Sequence, residues 1–307
     1  MRIDPHSSIN QAGSKTSGSP LDVSVIVPMH NSAKYIERCL DSLLRQTYSP
    51  TRYEIIVVDN NSTDDSGLLV AKYPRIRLLS EPKQGSYAAR NCGVKAADGQ
   101  FLAFTDADCA PDMGWLSEIL APLASPEVKI VQGRRLFASK SQILSMLADF
   151  ETERAAYGFS SEGAGTHFGY TNNMAMRREI FDQCGPFLEI ARGADSVFVD
   201  RVVKRFSIDA VHFSRTAIIS HLEMTSVTRW LTKRVIRGRS LQQTRQIREY
   251  KRPASKILPV ILKRTVERGH YSKAGAAYLY LIVLMGTLAF DLGRVSSSAT
   301  KISAEKV

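Results

Sequence analysis

Asp106 and Asp108 stand two residues apart at the end of the apolar run Phe101-Leu-Ala-Phe-Thr105. In an extended chain residues i and i+2 share a side, so both carboxylates are expected to leave a strand end together and face one small space. Two hard oxygen donors there suit Mg²⁺ or Mn²⁺, and such an ion in turn suits a diphosphate. An Asp-x-Asp alone recurs in many loops. Its weight here comes from the elements in front of it.

Those elements alternate. Val23-Ser-Val-Ile-Val27 reads as a buried strand that stops at Pro28-Met-His-Asn31, and Tyr35, Ile36, Cys39, Leu40, Leu43 and Leu44 then recur at helical spacing. Tyr53–Val58 is a second strand, ending in Asp59-Asn-Asn-Ser-Thr-Asp64, whose Ser62, Thr63 and Asp64 are good caps for a short helix. Arg75–Leu79 is a third strand, Gly85–Gly93 opens a helix, and Phe101–Thr105 is the fourth strand. Strands alternating with helices imply an α/β fold, a mostly parallel, Rossmann-like sheet with helices on both faces. Such sheets bind ligands outside the carboxyl ends of their strands. Here those ends carry Asn31, Asp59 and the Asp106/Asp108 pair.

Val-Ile-Val-Pro-Met-His-Asn, Val-Val-Asp-Asn-Asn-Ser-Thr-Asp, Ala-Ala-Arg-Asn-Cys-Gly and Thr-Asp-Ala-Asp, in this order, resemble the successive motifs of family 2 glycosyltransferases. The resemblance covers roughly residues 21–240. It implies a GT-A fold and an inverting enzyme dependent on a nucleotide-diphosphate sugar, with a UDP-sugar the expected donor. Pro28, His30 and Asn31 would line the base and ribose, and Asp59 would accept a hydrogen bond from the base. Gly85, Arg90 and Asn91 would sit near the ribose or diphosphate. Asp106 would hold the ribose or sugar edge, and Asp108 would bind the metal, Mn²⁺ or Mg²⁺.

The same resemblance extends to the acceptor side. Asn173 and Arg177 fit the family's Asn-x-Ala-x-Arg stretch, and Gly193-Ala-Asp-Ser-Val-Phe-Val-Asp-Arg201 falls where it commonly has Gly-Glu-Asp followed by an apolar turn and an Arg. Asp195 is therefore expected to be the general base that takes the acceptor's hydroxyl proton. Ala194 departs from the pattern, since it replaces the usual Glu and can neither hydrogen-bond nor carry charge. Asp200, five residues on, would face away from Asp195 on a helix and reads as a surface residue or salt-bridge partner. Arg229-Trp230 matches the end of the Gln-x-x-Arg-Trp motif of processive synthases, but Ser226 holds the Gln position. Transfer of a single sugar is expected, with Arg229 and Trp230 on the acceptor side.

A chain of 307 residues, 44% hydrophobic, can bury one sizeable α/β core with an appendage. The expected organisation is a disordered arm over 1–20, the glycosyltransferase domain over 21–228, a basic helical region over 229–273, an apolar helix over 274–293 and a polar tail over 294–307. The arm carries no apolar run and is neither a signal nor a transit peptide. Four widely spaced cysteines without zinc spacing read as reduced thiols. Between Arg229 and His270 thirteen Lys or Arg face two Glu, a surplus of +11 that equals the formal charge of the whole chain. Ala274–Phe290, which follows, has no charged residue. A basic stretch beside an apolar helix attracts anionic lipid rather than nucleic acid. With Lys or Arg beyond both ends, the helix is as compatible with lying in the membrane as with spanning it.

The expected location is the cytoplasmic face of the inner membrane, and the expected acceptor a lipid-linked saccharide or other glycan in bacterial exopolysaccharide or envelope synthesis. A sugar-nucleotide pyrophosphorylase would want a Gly-rich, Arg-bearing loop after the first strand, which Pro28–Asn31 is not. The chain has neither Gly-x-Gly-x-x-Gly nor a P-loop, which excludes the common NAD and ATP sites. A catalytically impaired, membrane-bound scaffold that binds nucleotide is the alternative of a different class, motivated by Ala194 and the basic tail.

Overall fold

The computed structural model describes residues 21–163, 165–244, 247 and 257–304, so the proposed arm and part of the basic stretch lie outside the described residues. Eight strands form one sheet in the order β3-β2-β1-β4-β7-β6-β8-β5. The first half follows the expected alternation: β1 (Val23–Met29), α1 (Ile36–Leu44), β2 (Tyr53–Asp59), α2 (Ser66–Val70), β3 (Ile76–Ser80), α3 (Ser86–Ala96) and β4 (Phe101–Thr105). β1 pairs in parallel with both β2 and β4, and β2 with β3. The strand order therefore reverses at β1, and a crevice opens at the carboxyl ends of β1 and β4. β1 runs two residues past Val27, with Pro28 in register with Val58.

The second half brings β5 (Cys109–Pro111), α4 (Trp115–Leu120), β6 (Ile130–Phe137), α5 (Gln142–Gly158), β7 (Asn173–Arg177), α6 (Arg178–Cys184), α7 (Ala194–Arg205) and β8 (Val211–His221). β7 is antiparallel to β4 and β6, and β5 is antiparallel to β8, while β6 and β8 are parallel. The sheet is thus mixed at this end, and β8 finishes beside the turn that follows β4.

Alternation along the strands sends Val23, Val25 and Val27 to one face, against Ile36, Leu40 and Leu43 of α1 and Trp115 and Ile119 of α4. Ile26, Ile56 and Val58 go to the other face, where Ala89 of α3 and a group of aromatic rings cover them. Phe187 anchors that group, with ring centroids 5.5 Å from Phe104, 5.6 Å from Phe181 and 4.9 Å from Phe198. It links β4 to α6 and α7, and so fixes Asp106 relative to the start of α7. Truncating such a ring to Ala costs about 3–5 kcal/mol.

A third apolar cluster joins α5 to α8 (Val227–Thr244), α9 (Ile257–Gly269) and α10 (Lys273–Ala304), through Leu147, Phe150, Trp230, Ile261, Leu279 and Ile282. α8 and α10 approach closely enough that side chains are excluded: a Cβ on Gly286 would strike the Trp230 ring, and one on Gly238 the Phe290 carbonyl. The opposite face of α10 exposes Tyr278, Leu281, Met285, Leu288, Leu292 and Val295. These are spaced three and four residues apart, so they form one apolar stripe.

Candidate active site

β4 ends at Thr105, and Asp106 to Cys109 form a turn closed by the Cys109 N–H donating to the Asp106 carbonyl at 3.0 Å. The two carboxylates therefore converge through a turn, not through the strand alternation expected from their spacing. Asp106 accepts a hydrogen bond from Arg90 of α3, whose side chain is only 4% exposed. Asp108 Oδ2 lies 3.5 Å from Nδ1 of His221, the last residue of β8. Burial pushes the Asp108 carboxyl up, reinforced by Asp106, and pushes the His221 imidazole down.

His221 Nδ1 is buried and makes no hydrogen bond among the described residues. A neutral imidazole nitrogen with nothing to bond, facing a crowded carboxylate, is a donor set that fits a divalent cation. The Cys109 thiol also lies within this group. Burial together with Asp108 and Asp106 raises its pKa well above the ordinary value, so it stays protonated and is no match for the other two as a ligand.

Asp195 opens α7 in a first turn entered through Gly193, whose φ of 87° lies in the left-handed region. Its Oδ1 accepts from the Ser196 N–H at 2.7 Å, and the Tyr87 hydroxyl adds a second hydrogen bond. Burial raises its pKa, opposed by the Ser196 N–H, Arg90, Tyr87 and Arg237. A carboxylate held above its ordinary range is a better proton acceptor near neutrality. Asp195, Arg90, Asp106, His221 and Trp230 line one cavity of about 340 Å³.

The residues expected on the donor side after β1, β2 and β3 lie outside that cavity's lining. His30 Nδ1 donates to the Asn60 carbonyl at 2.9 Å. Asn31 takes a φ of 46° and accepts the Thr63 N–H at 2.8 Å, tying the loop after β1 to the loop after β2. Asp59 caps its own loop by accepting the Ser62 N–H at 3.1 Å. The Gly85 N–H donates to Asn60 Oδ1 at 2.7 Å, while Asn60 Nδ2 donates to the carbonyls of Glu81 and Lys83. Asn60, which no motif singles out, is thus the buried hub of these loops.

Other expected residues lie elsewhere. Asn91 faces the core side of α3, donating to the Phe187 carbonyl at 2.9 Å and accepting the Phe187 N–H at 3.1 Å. Asn173, fully buried, accepts from Trp115 Nε1 at 2.8 Å and donates to the carbonyls of Arg134 and Ala217, pinning β7 to its neighbours. Arg177 donates to the Leu123 carbonyl, away from the cavity. Arg229 points out to Glu223, at 3.2 Å, while the adjacent Trp230 is buried in the cavity wall. Asp200 is no surface residue: it is 8% exposed and pairs with Lys204 at 2.8 Å, with His167 at 3.4 Å. Ala194 is buried in the apolar core, so no carboxylate takes the usual neighbour's place.

One further feature has little sign in the sequence. Glu151 of α5, 5% exposed, lines the cavity beneath guanidinium groups from three elements. Burial alone would raise it, but Arg154, Arg237, Arg234 and Arg135 outweigh burial and hold it well below the usual carboxylate range. Glu151 is therefore a poor proton acceptor and no substitute for the acid missing at Ala194.

The family profile of glycosyl transferase family 2 matches residues 24–185, more than half of the chain. The chain belongs to this family. It is 32% identical over 172 residues to the glycosyltransferase AglE of Haloferax volcanii, covering 54% of this chain and 55% of AglE. It is 40% identical over 90 residues to the poly(ribitol-phosphate) β-N-acetylglucosaminyltransferase TarS of Staphylococcus aureus, covering 28% of this chain and 16% of TarS. The chain thus spans about half the length of AglE and far less of TarS.

Among solved structures, the mannosyltransferase PcManGT of Pyrobaculum calidifontis, in complex with GDP-Man and Mn²⁺, superposes with a TM-score of 0.62 at 19% identity, over 96% of this chain and 92% of that one. The glucosyl-3-phosphoglycerate synthase of Mycobacterium tuberculosis, with Mn²⁺, UDP and glucosyl-3-phosphoglycerate, does so at 0.51 and 20% identity, over 66% and 72%. At these identities the likeness is one of fold, which is GT-A-like, with a long apolar helix at the C-terminal end.

Proposed function

We propose that this protein transfers a single sugar, with inversion, from a nucleotide-diphosphate sugar to a lipid-linked saccharide or other glycan acceptor. One observation carries the reading. Arg90, Asp106, His221 and Asp195 line one cavity at the carboxyl end of β4, and Asp108 lies 3.5 Å from His221, an arrangement that suits donor, metal and base for this chemistry. The nucleotide would lie along the rim of Pro28, His30, Asn31, Asp59 and Gly85. A divalent ion held by Asp108 and His221 would offset the charge on the leaving diphosphate. Arg90, fixed by Asp106, points a guanidinium toward the same diphosphate. The acceptor oxygen attacks the anomeric carbon from the face opposite the diphosphate, and Asp195 takes its proton. The anomeric C–O bond breaks with its electron pair leaving on the nucleoside diphosphate.

Asp195→Asn is expected to lower acceptor glycosylation by about 10²–10⁴-fold, with nucleotide binding by calorimetry retained. Full turnover in that variant would remove Asp195 from the mechanism. Nucleotide binding without turnover in the wild-type protein, across a broad acceptor panel, would favour the scaffold. A donor panel should hold both UDP- and GDP-sugars, because the solved relatives carry one or the other.

We assign the C-terminal helix to the cytoplasmic membrane surface, in the plane of the lipid. Lys273–Ser296 is long and apolar enough to cross a bilayer. Its inner face, however, is packed along α8, which carries Arg229, Lys233, Arg234, Arg237 and Arg239. A spanning α10 would drag these cations into hydrocarbon, at several kcal/mol each. An in-plane helix dips its exposed stripe and leaves α8 at the headgroups, where its basic residues meet anionic lipid. That position puts the cavity within reach of lipid-linked saccharides used in exopolysaccharide or envelope glycan synthesis.

A further inference from the structure

The cavity carries more positive charge than the donor site uses. Seven Lys or Arg side chains line it against three carboxylates. Arg90 is taken by Asp106, and Lys233 pairs with Glu223 at 2.8 Å. Arg135 of β6, Arg154 of α5, and Arg234 and Arg237 of α8 all act on the single carboxylate of Glu151. Even with Arg234 set aside, three guanidinium groups face one carboxylate. The crowding bears on Arg237, which burial and the repulsion of Arg135, Arg154 and Arg234 push down to about 9, against the pull of Glu151. It remains a cation at neutral pH.

Like charges from three separate elements repel, and a chain that gathers them into an open cavity has prepared a place for an anion. The guanidinium planes are also fixed in advance. Arg135 lies 3.8 Å from the centroid of the Tyr170 ring and Arg154 4.3 Å from that of Phe168. Arg154 is further held by Glu151 through bonds of 3.1 and 2.5 Å. A ring against each guanidinium limits its freedom, and guanidinium groups held in this way bind phosphate oxygens through their remaining N–H groups. The cluster also reaches the base and the metal side of the cavity, since Arg237 acts on Asp195 and Arg135 on His221.

We propose that this arginine cluster binds a phosphate group carried by the acceptor, so that the enzyme selects phosphorylated acceptors over neutral saccharides. The inference rests on the transferase reading above and adds the acceptor's chemical class. The phosphate is that of a lipid diphosphate headgroup or of a soluble sugar phosphate. Phe290 of α10 also lines the cavity, 5.3 Å from the Arg234 guanidinium, so the lipid-facing helix borders the same space.

The test uses the full chain in mild detergent, with donor and metal saturating, and two matched acceptor pairs. One pair is a short-chain prenyl-diphosphate saccharide and the same saccharide as a neutral alkyl glycoside. The other is a hexose 1-phosphate and its methyl glycoside. In at least one pair the phosphorylated member should have a KM about tenfold lower or better, and the pair that responds identifies the source. In Arg135→Gln and Arg237→Gln that advantage should shrink, with acceptor KM rising much more than donor KM. Equal KM within both pairs, or an advantage that survives both substitutions, would overturn the proposal. The wild-type comparison needs no variant to fold. Absence of metal-dependent donor turnover with every acceptor is a different failure, that of the transferase reading itself.

Discussion

The two halves of the proposed site are built differently. The proposed donor half is made mostly of short contiguous segments, the loops after β1, β2 and β4, each following its strand, joined by Arg90 of α3 and His221 at the end of β8. The proposed acceptor half is assembled from β6, α5, α7 and α8, which span residues 130 to 244. Strand ends of a parallel sheet must converge, so their chemistry can be located from order alone. A cavity wall made by packing helices onto that sheet depends on which face each helix turns inward, and charged residues there look like ordinary solvated ones. The donor end accordingly tolerates description by motifs, while the acceptor end has to be described by its electrostatics.

This contrast can be broken at its acceptor end first. Glu151→Gln leaves four guanidinium groups without their common carboxylate and should lower folding stability by about 3 kcal/mol, the lower range for breaking a buried ion pair, as read by chemical denaturation. The pH dependence should change with it. The folded-state pKa of Glu151 is depressed below its ordinary 4.5, so its contribution is present above that value and is lost as pH falls toward the folded pKa. Wild-type stability should therefore fall more steeply than that of the Gln variant below pH 4.5. Equal slopes would mean that the four arginines do not act on this carboxylate.

The donor end is sharpened by His221, which no motif announces. His221→Ala should weaken Mn²⁺ binding by at least the roughly 10–100-fold that loss of a supporting partner costs, measured by titration with nucleotide present. Unchanged affinity would leave Asp108 to hold the ion without it. The smallest effect is expected on the outer stripe. Leu284 and Leu288 are 41% and 57% exposed, so the double change to Glu should leave the fold intact. Loss of sedimentation with anionic vesicles would then be a property of that face alone. Retained sedimentation would shift the attachment from the stripe to the basic helices.

Much of the fold is legible in the amino-acid sequence alone. The α/β alternation from Val23 to Thr105 appears as β1 to β4, and Asp106 and Asp195 line one cavity, with Asp108 beside His221. The misplacements have physical causes. Asn91, Asn173 and Arg177 are polar residues spent on backbone carbonyls and amides inside the core, a role that no spacing separates from ligand binding. Asp200, by contrast, is the expected salt-bridge partner, paired with Lys204, though buried beside His167 rather than on the surface. Glu151 and Arg154 stand at i and i+3, a spacing ordinary on a solvated helix face. In the fold the pair is largely buried, with Glu151 5% exposed.

If Asp108 and His221 serve a metal-dependent transfer from a nucleotide sugar, the most direct measurement is nucleoside-diphosphate release by the purified protein. The donors are a panel of UDP- and GDP-sugars, each with and without Mn²⁺. Slow release from one donor is predicted, abolished by chelation and lowered about 100-fold or more in Asp108→Ala. Release that persists in Asp108→Ala without metal, or no release and no metal-dependent nucleotide binding with any donor, would contradict it.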